Sequence, residues 1–158
     1  MTVQNLHFIS HERDIIDKRV EWLNNSEVNR YLGSEPTTKE KQERWFNDYE
    51  RDNTKQFFTI KVINQPIGVV GLSHIDQKNK KADVFIMIGE VGFWGRGLGR
   101  QSLIYIQQYA TKKLGLNSLY LTVDRNNSPA IAAYQAVDFK VVDDKYDKQE
   151  LYMEWWKS

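Results

Sequence analysis

Gly95, Gly97 and Gly99 alternate through Phe93-Trp94-Gly95-Arg96-Gly97-Leu98-Gly99-Arg100, where an apolar strand hands over to an amphipathic helix. Glycines at such a handover let the backbone turn tightly and come within hydrogen-bonding distance of an anion. The helix beginning near Gly97 adds unpaired N–H groups and a partial positive end, which together favour phosphate. Arg96 and Arg100 bring guanidinium groups suited to phosphate oxygens. The natural ligand of this stretch is a pyrophosphate. Two other phosphate templates fail on it. A P-loop needs Lys and then Ser or Thr after its last glycine, and Arg100-Gln101 stand there instead. The dinucleotide fingerprint would need glycine at 100 and a place early in a βαβ unit, whereas this loop follows three strands in hairpin-like succession. A glycine turn that merely permits close packing is the plain alternative.

The rest of the composition narrows the chemistry. With no cysteine among 158 residues there is no disulfide, no thiol nucleophile and no thiolate metal site. His7, His11 and His74 lack ligand spacing, so no metal is expected. Twenty-two basic and 21 acidic residues leave a net charge of +1, which gives no global field for nucleic acid or membrane. No run of 18 apolar residues and no signal-like start appear, so a cytoplasmic protein is expected.

Periodicity supplies the elements that must hold the loop. Leu6-His7-Phe8-Ile9 reads as an edge strand. Ile16, Val20 and Leu23 recur at helical spacing over 11–25, flanked by Ile15 and Trp22, until Asn24-Asn25-Ser26 breaks the pattern. A second helix is predicted over 38–52, with Trp45, Phe46 and Tyr49 on its apolar face. Strands follow at 57–63, 67–72 and 83–88, the last nearly continuous in apolar character and so central. A long helix carries Leu98, Leu103, Ile106, Ala110 and Leu114 and ends near Gly115. After a strand at 118–123, Asn127-Ser128-Pro129 opens another helix, with Ser128 as N-cap and Pro129 first inside it. Strands at 139–142 and 149–155 close the chain. The order is β-α-α-β-β-β-α-β-α-β-β, one mixed α/β domain over 1–158 with a mostly antiparallel sheet flanked by helices.

With these elements in place, the chain resembles the GCN5-related N-acetyltransferase (GNAT) superfamily. The likeness is greatest to the branch of ribosomal-protein N-terminal acetyltransferases and spermidine N-acetyltransferases. Trp94-Gly95-Arg96-Gly97-Leu98-Gly99 matches the pyrophosphate motif Q/R-x-x-G-x-G/A, with Trp94 at its head as this branch commonly has. The segment from Trp22 to Tyr31 looks like the branch's first-helix region, and Ile86-Met87-Ile88-Gly89 like its splayed central strand. Asn127-Ser128-Pro129-Ala130-Ile131-Ala132-Ala133-Tyr134, then Asp138-Phe139, resembles N-x-x-A-x-x-x-Y…G-F. Asp138 replaces the usual glycine and still tolerates a left-handed turn.

The resemblance implies a function and a site. Acetyl-CoA is the expected co-substrate, bound by Trp94, Gly95, Arg96, Gly97, Leu98, Gly99 and Arg100, by backbone groups near Met87 and Ile88, and by Asn127 and Tyr134. Tyr134 would protonate the departing thiolate, since a phenol is a neutral donor at pH 7. Asp83 is the first candidate for the base, ahead of Glu35 and His74. Glu35 would border the acceptor cleft and attract a cationic amine. Direct transfer to a small primary amine (polyamine, amino sugar or aminoglycoside) is expected. Acetylation of a protein N-terminus, such as a ribosomal protein's, is one alternative; a non-catalytic acetyl-CoA-binding protein is another. Monomer and homodimer stay open, and the aromatic strand Tyr152-Met153-Glu154-Trp155-Trp156 is the surface that would pair with a second copy.

Overall fold

The computed structural model describes residues 5–143 and 148–158. Seven strands form one sheet in the order β1-β2-β3-β4-β5-β7-β6. They are β1 (Leu6–Ser10), β2 (Gln56–Val62), β3 (Gln65–Asp76), β4 (Lys81–Ile88), β5 (Ser118–Asp124), β6 (Lys140–Asp143) and β7 (Glu150–Trp156). Every neighbouring pair is antiparallel except β4 and β5. β4 lies fourth of seven, central as its apolar run predicts. The C-terminal strand β7, expected as a free edge, lies between β5 and β6, so β6 and β1 are the edges. None of the helices among the described residues is long and apolar enough to cross a membrane.

Each face of the sheet buries its own cluster. On one side, Leu98, Leu103, Ile106 and Ala110 pack on Val70, Leu72, Leu119, Leu121 and Met153. Those four come from α4 (Leu98–Gln108) and the π-helical turn Tyr109–Lys113 that continues it. On the other side, α1 (Ile16–Asn24) and α3 (Lys39–Tyr49) bring Ile16, Trp22 and Phe46 against Phe57, Val69 and Met87. Because side chains alternate along a strand, β4 serves both faces: Ala82 and Val84 enter the first cluster and Met87 the second.

The helix over 11–25 begins instead as a 3-10 turn, Arg13–Ile15, before α1. The Asn25 side chain then accepts from the Glu27 and Val28 N–H groups and starts a further short helix, α2 (Ser26–Asn29). Thr38 caps α3 through a hydrogen bond from the Lys41 N–H at 3.2 Å. The last helix, α5 (Ser128–Ala136), is capped by Asn127 rather than Ser128, its side chain accepting from the Ala130 N–H at 3.3 Å. Pro129 therefore sits second in the helix, where its missing N–H is still harmless.

Candidate functional site

β4 and β5 pair at only three positions, Lys81 with Ser118, Ala82 with Leu119 and Asp83 with Tyr120. Beyond Asp83 the two strands separate and leave a wedge in the sheet. A cleft of about 820 Å³ occupies it, walled by Val84 to Ile88 on one side, Thr122 to Asp124 on the other, and by Tyr134 of α5 and its cap Asn127.

The hydrogen-bond pattern fixes which backbone groups face that wedge. The Gly89 N–H donates to the Ile67 carbonyl at 2.7 Å, so the odd-numbered residues of β4 exchange bonds with β3, among them Met87 with Val69. Main-chain groups alternate in direction along a strand. Val84, Ile86 and Ile88 therefore turn theirs away from β3. The Lys80 carbonyl, accepting from Asn117 and Ser118 of the β5 side, obeys the same alternation. Met87, expected beside Ile88 as a source of free donors, is corrected by this register. Its N–H belongs to the ladder and its side chain is buried in the second cluster. Ile86 takes its place, a residue of the splayed-strand motif that the sequence does not mark as a donor.

At the wedge's mouth lies the glycine turn. Gly95 and Gly97 both have positive φ, +77° and +76°, the left-handed region that favours glycine. A Cβ built at Gly95, Gly97 or Gly99 would meet nothing within 4 Å. All three glycines line the cleft, and the open space around them leaves room for an anion. Gly97 is the N-cap of α4 and offers no side chain to its first N–H groups, which stay available. Arg100 lines the cleft. Arg96 does not; its guanidinium stacks on the Phe93 ring at 4.9 Å. The Leu98 side chain is buried in the core, so only its backbone is free to serve a ligand.

Tyr134 reaches the wedge from α5, its ring packed 5.9 Å from Phe139. Burial, with the negative charge of Asp83 second, pushes its pKa up to about 12. Asp83 stands at the apex, the last residue paired with β5. Burial raises its carboxyl above the usual range, opposed by His74 and by the Val84 N–H. His74 Nδ1 lies 3.8 Å from the Asp83 carboxylate. Glu35, by contrast, is exposed on the loop before α3 and does not line the cleft. The carboxylates that do are Glu27, Asp124 and Glu150, with Arg30 and Tyr31 of the segment after α1 beside them. The sequence signal for that wall was Asn25, whose side chain starts the helix that carries Glu27.

A family model for the acetyltransferase (GNAT) domain matches residues 6–140. The chain belongs to the GNAT family. It is an N-acetyltransferase. The GNAT chain is 28% identical over 119 residues to spermidine N(1)-acetyltransferase from Escherichia coli (strain K12), covering 75% of this chain and 63% of that one. It is 27% identical over 135 residues to alpha/beta-tubulin-N-acetyltransferase 9 of Homo sapiens, covering 77% and 65%. The chain thus spans a little under two thirds of each of these relatives. The spermidine N-acetyltransferase from Vibrio cholerae, solved in complex with CoA and spermine, superposes with a TM-score of 0.86 at 22% identity. That match covers 96% of this chain and 95% of the other. At that identity the likeness is one of fold.

Proposed function

We propose that this GNAT enzyme moves the acetyl group of acetyl-CoA directly to the primary amine of a small molecule of the polyamine, amino sugar or aminoglycoside type. The wedge between β4 and β5 carries the reading. It puts unpaired N–H groups of Ile86 and Ile88, the Tyr134 hydroxyl and a glycine cradle around one cleft. Acetyl-CoA supplies the activated acetyl group. The cradle N–H groups and Arg100 hold its pyrophosphate, and the β4 donors hold its pantetheine arm and polarise the thioester carbonyl. Asn127 caps α5 and lines the same cleft, where the arm would pass it.

Transfer needs an amine without its extra proton and a sulfur that leaves without a costly free charge. Asp83, whose burial makes it more basic than an ordinary aspartate, takes the amine's proton as the N–C bond forms. Tyr134 gives its proton to the sulfur as the C–S bond breaks, and the proton taken by Asp83 returns through water to the phenolate. The amine loses one proton and the thiol product gains one, so the exchange balances. With no cysteine in the chain, no thiol acyl-enzyme stage intervenes.

The acids in the cleft, Glu27, Asp124 and Glu150, support a cationic acceptor, and so does the likeness to spermidine N-acetyltransferases. The tubulin N-acetyltransferase relative favours a second reading, a protein amine acceptor. Release of free thiol from acetyl-CoA, measured across polyamines, amino sugars, aminoglycosides and N-terminal peptides, tests both. Turnover confined to the peptides would overturn the small-amine reading.

A further inference from the structure

At the mouth of the wedge the Ile88 carbonyl has lost its strand partner, because β5 has turned away. The Gly89 N–H of the same peptide is held by the Ile67 carbonyl at 2.7 Å. The carbonyl itself accepts from the Trp94 indole Nε1–H at 2.9 Å. Trp94 is 44% exposed, heads the glycine turn and lines the cleft. Across the same turn, Trp22 donates its indole N–H to Glu90 at 2.6 Å. A Cβ at Gly89 would fall 2.2 Å from the Trp22 ring. Two indoles thus hold the end of β4. Trp22, 1% exposed, is also core. Trp94 buries little, yet its one polar atom is used on the strand's last carbonyl.

We propose that Trp94 is a positioning residue for the donor's arm. By holding the Ile88 carbonyl it fixes the backbone rotation at Ile88 and keeps that residue's N–H aimed into the wedge. The Gly89 N–H anchors that peptide on the β3 side and the indole anchors its carbonyl on the wedge side, so the end of the strand next to the Ile88 N–H is held from both sides where β5 no longer supports it. The indole leaves the second lone pair of the oxygen free for a ligand. This inference rests on reading the wedge as the coenzyme A site.

Trp94→Phe keeps a ring and removes only the donor. Calorimetric titration compares CoA with 3′-phosphoadenosine 5′-diphosphate, which carries the phosphates but no arm. The variant is expected to bind CoA about tenfold more weakly and the nucleotide within twofold of the parent chain. Equal loss for both ligands would mean a damaged turn, and no loss for either would mean an idle indole; each overturns the proposal. Failure of the unaltered chain to bind CoA would overturn the site reading underneath it.

Discussion

A phenol whose pKa is raised to about 12 keeps its proton throughout the neutral range, ready to be given to a leaving thiolate. Tyr134→Phe should lower kcat on the order of 100-fold while CoA affinity, measured by calorimetry, stays within twofold. Equal losses in both would take the hydroxyl out of the chemistry. Burial raises the Asp83 carboxyl, so the acid limb of kcat/KM should lie above the ordinary aspartate range and flatten in Asp83→Asn. Tyr134, Asp83 and the glycines were legible as candidates because each belongs to a local pattern. Arg19 and His11 were not. Both are buried, at 6% and 3% exposure, and their partners lie far along the chain. Arg19 donates to Gln42 at 2.7 Å and to His11 at 2.9 Å and lies over the Trp45 ring, while His11 meets Thr59. Burial, and then Arg19, lowers His11 from 6.5 to about 3. The folded state therefore holds it neutral while the unfolded chain protonates it below pH 6.5. Its contribution is complete above pH 6.5 and falls by about 1.4 kcal/mol per pH unit toward pH 3. Urea unfolding between pH 7 and 5 should show that slope, and His11→Gln should flatten it.

Between strand and helix, Gly97 and Gly99 make opposite demands. Gly97 holds φ +76° and Gly99 lies in the first turn of α4, with open space at both. Gly97→Ala should cost about 1 kcal/mol of stability through left-handed strain. Gly99→Ala should cost nothing and gain up to about 1 kcal/mol from helix propensity. Both should weaken CoA binding at least tenfold by placing a methyl in the cradle. Thermal melts beside titrations separate the two effects, and parallel losses of stability and binding would contradict the cradle. Helix ends were the elements read least well. Ser-Pro suggested a cap at Ser128, but Asn127 reaches the Ala130 N–H one residue earlier. The π-helical turn Tyr109–Lys113 left no trace in the apolar spacing. Its extra residue falls after Ile106, where the buried Ala110 still follows at a four-residue spacing.

Across the whole sheet, the succession of elements along the chain was readable because each change of element leaves a change of period in the sequence. The insertion of β7 between β5 and β6 was not. The separation of β4 from β5 entered only through the likeness of Ile86-Met87-Ile88-Gly89 to a splayed strand, and its start after Asp83 was not legible, since it depends on how two strands thirty residues apart are laid beside one another. It makes a direct forecast. In hydrogen exchange on the free protein, the Ile86 and Ile88 amides should exchange far faster than those of Phe85 and Met87, and CoA should slow them. Uniform protection along β4 would contradict the wedge. One more consequence follows from the same opening. A sheet with unjoined amides in its interior forgoes bonds that an arm carrying its own amides can complete, in the manner of an added strand. The donor is then part of what holds the protein together. At a concentration one hundred times its Kd, CoA should add about 2.7 kcal/mol, a rise of roughly 5–10 °C in Tm for a chain of this size.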